Sequence, residues 1–220
     1  MADPIDFGLA RQGRLRSFTS QLLAGSRPIP DTLAGNLLQS LGIARVLVEG
    51  AGDLFFHPSA ALDLKDRERA PAMIGVVRDS RGDVAGLHLT LLQPTGVAVG
   101  GEKGVRLFGD VGAGAVRLWP RPTRGRLVVS EGIENTLAAA DLADELGWAL
   151  VAPEAVGRVE LPPGIDWLAI ASGGTPEAGA RAEQLALRMA SQCRRIEVVL
   201  PPEPGLEWTQ VIRTMRSDAA

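Results

Sequence analysis

Apolar positions in the first forty-odd residues recur at helical spacing. Between Ile5 and Leu23 the residues Phe7, Leu9, Leu15, Phe18, Leu22 and Leu23 fall three and four apart, interrupted by Gly8 and Gly13, and this predicts a helix over residues 13–24. Pro28 and Pro30 punctuate the chain. Asp31 or Thr32 can cap a second helix, whose stripe is Leu33, Leu37, Leu38 and Leu41 and whose stop is Gly42. Residues 1–45 therefore read as a helical lead-in.

From residue 46 to 120 the texture changes. Short β-rich runs, LFFH, AMIGVVRD, VAGLHLTLL, GVRLFG and AVRLW, are separated by the turns SRGD, PTG and GAG. Connections this short allow hairpins and forbid the crossovers that parallel strands need, so a small antiparallel sheet, packed on its own, is expected. Residues 121–126, Arg-Pro-Thr-Arg-Gly-Arg, read as a linker. From 126 to 216 strand and helix signals alternate. LVVS, WALVA, DWLAIAS and RIEVVLPP are brief apolar runs, interleaved with helices over Ile133–Gly147, Pro176–Cys193 and Glu207–Met215. Short apolar strands alternating with amphipathic helices make an α/β domain with a parallel sheet covered on both faces.

Composition narrows the functional classes. The 220 residues include 23 Lys and Arg against 26 Asp and Glu, a net charge of −3, so no overall positive field draws the protein to nucleic acid and any such binding needs a local patch. The single cysteine, Cys193, excludes an internal disulfide framework and a CxxC zinc site. No apolar run approaches the roughly 18 residues of a membrane span, and the acidic start lacks the pattern of a signal peptide; a soluble, cytoplasmic protein is expected.

Two loops are placed where parallel-sheet proteins keep their chemistry, beyond the carboxyl ends of strands. In Ser130-Glu131-Gly132-Ile133-Glu134, two carboxylates flank a glycine at a strand-to-helix turn. They could hold hydrated magnesium or act as acid and base, or they simply cap the helix and complement its dipole. In Ala171-Ser172-Gly173-Gly174-Thr175-Pro176, small residues could cradle a phosphate, or form a plain turn with Thr175 as N-cap and Pro176 at the first helical position. It is not a P-loop, because Ala180-Arg181 stands where Lys-Ser/Thr would be. Arg106, Arg117, Arg121, Arg124 and Arg126 make the densest excess of base, either a nucleic-acid contact or a solvated linker. His57 and His88 lack metal-ligand spacing and read as structural. The four tryptophans, Trp119, Trp148, Trp167 and Trp208, sit at element ends and suit core or rim better than base stacking.

The run LVVSEGIENTLAA resembles the first signature of Toprim domains, an apolar strand ending in Glu-Gly, and Glu134 with the Ala-rich helix resembles the branch found in phage and plasmid primase-helicases. DWLAIASGGTPEAGARAEQLA has the strand, glycine and helix of the second signature, with Gly173 and Thr175 where its Asp-x-Asp pair belongs. RIEVVLPPEPGLEWTQVI is similar to the closing segment, with Glu207 and Gln210 in place of expected aspartates. Upstream, FFHP, APAMIGVVRDSRGDVAGLHLTLL and GVRLFGDVGAGAVRL resemble the β-rich segment that precedes Toprim, so the likeness spans about residues 20–215.

The resemblance implies a primase-like fold in which Glu131 is a surviving acid/base, Glu131 with Glu134 the remnant of a metal site, and magnesium a cofactor only if activity survives. Three functions stay open. One is a catalytically silent accessory or regulatory subunit that binds single-stranded nucleic acid or a replication protein such as a helicase. Another is an active nucleotidyltransferase or nuclease that uses Glu131. The third is a protein-interaction module or inhibitor of mobile-element origin.

Overall fold

The structure is a computed structural model and describes residues 4–63, 67–119 and 125–217. Its first helix, α1 (Pro4–Ala24), starts earlier than the glycine interruptions suggest. A helical glycine costs only about 1 kcal/mol relative to alanine, and burial of Phe18 and Leu22 against the sheet anchors the helix beyond that weak spot. In α2 (Leu33–Ser40) Thr32 is the N-cap, its hydroxyl accepting from the Gly35 amide at 3.1 Å. Gly42, at φ +81°, stands just past the end of α2, in the left-handed conformation that stops a helix. A further short helix, α3 (Arg45–Glu49), was not expected at this boundary.

Five strands follow, β1 (Leu54–Ala61), β2 (Arg69–Arg78), β3 (Val84–Leu91), β4 (Val105–Gly109) and β5 (Ala115–Arg117), and every pairing among them is antiparallel as the short turns require. The β2–β3 turn is held by the Asp79 carboxylate, which accepts from the amides of Arg81 and Asp83.

The second half alternates β6 (Arg126–Glu131), α4 (Ile133–Ala143), β7 (Gly147–Leu150), α5 (Ala155–Arg158), β8 (Trp167–Ala171), α6 (Pro176–Met189), β9 (Arg195–Val199) and α7 (Trp208–Ser217). These strands are parallel in the order β7-β6-β8-β9. Successive side chains of β6 point to opposite faces. Val128 packs in the layer that contains α4 and α7, and Leu127 and Val129 in the layer of α5 and α6, so helices cover both faces as a buried parallel sheet demands.

The two sheets are not separate. Among the described residues one mixed sheet runs β4-β3-β2-β5-β7-β6-β8-β9, with β1 also on β2. The join is β5, whose Val116 pairs with Val77 of β2 on one side and Ala149 of β7 on the other, while Arg117 faces Trp148. The expectation of independent packing fails because a parallel sheet ending at β7 would leave a row of unpaired N–H and C=O groups, and the three-residue β5 satisfies them.

This seam is densely built. Trp148 is 2% exposed, donates its indole N–H to the Trp119 carbonyl at 3.1 Å, and carries the Arg117 guanidinium 4.7 Å above its ring. Nearby, buried Asp53 accepts from Arg78 Nε with both oxygens at 2.9 Å. At the far side β9 is an edge strand, where Val198, Val199 and Leu200 are 37%, 37% and 61% exposed.

His88, on β3, has a buried Nδ1 without a hydrogen-bond partner, and loss of solvent lowers its pKa from the usual 6.5 to about 4. The unfolded chain therefore binds a proton that the folded one refuses. Stability from this group is complete above pH 6.5 and drains away as pH falls toward 4, by about 2 kcal/mol between pH 7 and 4.5. Urea denaturation at those two pH values should show this loss, and His88→Leu should flatten it; an unchanged difference would place the pH sensitivity elsewhere.

Candidate active site

Glu131 ends β6, and the loop from Ser172 to Thr175 leaves the neighbouring strand β8. Ser130 pairs with Ala171 in register, and its hydroxyl donates to the Ala171 carbonyl at 2.6 Å, so the two loops lie side by side at the carboxyl edge of the sheet. Gly132, at φ +81°, makes the sharp turn from strand into α4, a conformation that L side chains rarely adopt. Thr136 then fastens that turn, donating to the Gly132 carbonyl at 2.6 Å.

Glu131 is not free. Arg181, on α6, donates from Nε to Oε1 at 2.6 Å and from Nη2 to Oε2 at 2.8 Å, a two-pronged ion pair that engages both carboxylate oxygens. Both side chains are about one-third exposed, and the bond to Glu131 raises the guanidinium pKa above its ordinary value. The pair borders a shallow depression with Ser130, Ser172, Gly173 and Ala178. Sequence reasoning noted Arg181 only as the residue that breaks a P-loop pattern. Its pairing, 50 positions from Glu131, depends on how α6 lies over the sheet.

Glu134 does not join Glu131. It lies in the first turn of α4, with an oxygen 3.5 Å from the Thr90 hydroxyl of β3, and desolvation raises its carboxyl pKa. Glu207 accepts from Asn135 Nδ2, and a Cβ at Gly173 would stand 3.2 and 3.3 Å from the Glu207 carboxylate oxygens. Thr175 is the N-cap of α6, accepting from the Ala178 amide at 3.2 Å, with Pro176 behind it in the first turn. Trp208 donates its indole N–H to the Ser172 carbonyl at 2.8 Å and so anchors the loop to α7.

Magnesium needs several hard anionic oxygens around one point. Among the described residues no group of three or more His, Cys, Asp or Glu side chains is placed to hold a metal ion. With Glu131 bound to Arg181, a glycine at 173 and the Thr175 hydroxyl committed to its cap, the side chains present do not fit the ion.

Of the arginines expected to contact nucleic acid, the described ones, Arg106, Arg117 and Arg126, are held by separate parts of the fold. Arg106 donates to the carbonyls of Lys103 and Val105 on β4. In the sheet order β4 lies three strands from β5 and five from β6, roughly 14 and 24 Å at the usual strand spacing. Arg117, half-buried over Trp148, donates to the Asp79 carbonyl at 2.6 Å, and burial lowers its pKa. Arg126 stacks 4.3 Å from the Trp167 ring and pairs with Glu145 at 3.0 Å. Arg121 and Arg124 lie outside the described residues. Among the described residues no helix is long and apolar enough to cross a membrane.

Residues 13–118 match a family described as a domain of unknown function, DUF7146. Comparison with curated protein sequences finds no match. Solved structures with the same architecture include a DNA primase domain from Pseudomonas aeruginosa, 16% identical, with a TM-score of 0.57 over 91% of this chain and 74% of that one. The DnaG primase catalytic domain bound to ssDNA is also 16% identical, with a TM-score of 0.55 over 96% and 81% of the two chains. The Aquifex aeolicus primase, comprising zinc-binding and RNA polymerase domains, is 13% identical with a TM-score of 0.57, and this chain spans 60% of it. At such identities the likeness speaks for architecture alone, a mixed sheet with flanking helices similar to that of primase catalytic domains.

Proposed function

We propose that this protein is a catalytically degenerate primase-type module that associates with single-stranded nucleic acid as an accessory or regulatory subunit of replication. The observation that carries the reading is the loop beside Glu131. Where a phosphoryl-transfer site concentrates carboxylates around a divalent cation, this edge presents Gly173 and a Thr175 occupied as a helix cap. A fold shared with a primase domain captured on ssDNA supports nucleic acid as the partner. Net charge of −3 implies that contact is local and modest in strength.

The test has two arms. Fluorescence anisotropy with a labelled single-stranded oligonucleotide should show binding that weakens by roughly tenfold or more from 50 to 200 mM salt, the mark of a few phosphate contacts. Primer synthesis with magnesium or manganese should stay at background. Metal-dependent synthesis abolished by Glu131→Gln would reverse the reading and leave an active nucleotidyltransferase, while absence of binding at low salt would remove the nucleic-acid partner. The latter outcome favours a second reading, a protein-interaction module, which is supported by the exposed apolar run Val198-Val199-Leu200 on the open edge of β9.

A further inference from the structure

The pairing of Glu131 with Arg181 raises a different question from the missing aspartates. A site that has merely lost ligands would leave its surviving carboxylate facing solvent. Here both oxygens of Glu131 are taken, at 2.6 and 2.8 Å, by a guanidinium from the helix that follows the degenerate loop. An arginine side chain stays protonated at every ordinary pH and its planar fork matches a carboxylate edge to edge. It is also covalently tethered, so it competes with a dissolved ion at a high effective concentration. Glu134 and Glu207 are turned to separate tasks, toward Thr90 and Asn135, while Glu177 adds its charge beside Arg181.

Gly173 fits the same picture. An acid at this position would begin its side chain 3.2 Å from a Glu207 oxygen, and two carboxylates that close repel unless a cation lies between them. A glycine at 173 and an arginine at 181 therefore act in one direction, since both lower the demand of this edge for a free cation.

We propose that Arg181 is the resident cation of this site, neutralising Glu131 from within the chain in place of a divalent ion, so that whatever the edge binds it binds without metal. The proposal rests on the degenerate reading given above and adds the agent that enforces it. It also makes the two changes interdependent. Gly173→Asp alone adds a carboxylate to an edge whose key oxygens are still occupied, and Arg181→Gln alone frees Glu131 without a second acid to share a metal. Only together do they bring the freed Glu131 and a second carboxylate onto one cation, whereas each change alone supports weak binding at most.

The experiment is a manganese titration of the full chain, followed by electron paramagnetic resonance of the free ion, with circular dichroism as the check on folding. Wild type should leave manganese free, Gly173→Asp, which sets a carboxylate beside Glu207, and Arg181→Gln should each bind weakly, and the double variant should bind at least about tenfold more tightly than either single one, a non-additive gain. Glu131→Gln in the double background should abolish that binding. Arg181→Lys with Gly173→Asp, which keeps the charge, should gain nothing. A folded double variant that binds no better than the singles overturns the proposal and leaves the accessory function standing. Wild-type manganese binding that disappears in Glu131→Gln overturns it too, and if accompanied by primer synthesis overturns the accessory function as well. Should the double variant not fold, Arg181→Gln alone decides: affinity equal to wild type refutes a cationic role for Arg181.

Discussion

Replacing Trp148 by alanine is expected to lower the melting temperature by about 10 °C. Removing a buried aromatic costs about 3–5 kcal/mol through lost transfer free energy and the cavity left behind, and a chain of this length loses about 2–4 °C per kcal/mol. Trp148 is 2% exposed, and its truncation does more than empty a space. The Trp119 carbonyl loses its indole donor, and the half-buried guanidinium of Arg117, whose Nε has no partner, loses the aromatic face it lies on. Trp148→Phe keeps most of the area and the ring face and should cost clearly less. Differential scanning calorimetry of the three proteins measures this. A Trp148→Ala protein melting within about 2 °C of wild type, the range of an ordinary surface substitution, would show that the seam contributes little to stability.

Trp208→Ala should cost a comparable amount, about 3–4 kcal/mol, and should in addition loosen the candidate site. Trp208 is 8% exposed, packs in the core layer beneath α4, and is the donor that holds the Ser172 carbonyl. Without that bond the loop from Ser172 to Thr175 keeps its strand, the cap of α6 and two backbone bonds, Ser172 N–H to the Val199 carbonyl and Gly205 N–H to the Gly174 carbonyl, and loses its one tie to α7 through Trp208. Hydrogen exchange read peptide by peptide should therefore accelerate over residues 172–178 beyond the change seen in the distant β1–β2 hairpin. Uniform acceleration across the chain would mean that the substitution lowers global stability only, and that Trp208 has no special part in placing the loop.

The candidate edge was legible where the signal is local. Strand, turn glycine and helix follow one another within a few residues at Glu131 and again at Gly173, so the position of both loops at the carboxyl ends of strands could be read from order alone, and the parallel register of Ser130 with Ala171 brings them together. Thr32 and Thr175 were readable as caps for the same reason, since an N-cap bond reaches only three residues along the chain. Long-range partners left no such mark. Arg117 looked like one base among several and is instead inserted over Trp148, because the face a three-residue strand presents is decided by its neighbours on both sides. Arg181 looked like a departure from a phosphate-loop pattern, and its partner is fixed by the placement of a helix over a sheet. The separate packing expected of the antiparallel block failed likewise, since edge pairing between β5 and β7 carries no local sequence signal.

The span of residues 13–118 that matches a family on its own stops one residue past the end of β5. That strand is also the one hydrogen-bonded on both flanks, to β2 and to β7. Cutting the chain at the limit of sequence likeness would thus split a single ladder lengthwise, giving one fragment with β5 as a raw edge and another with β7 uncovered and Trp148 without Arg117. The unit of sequence kinship and the hydrogen-bonded sheet have different boundaries here. With one ladder shared between them, the two halves are expected to melt as one body.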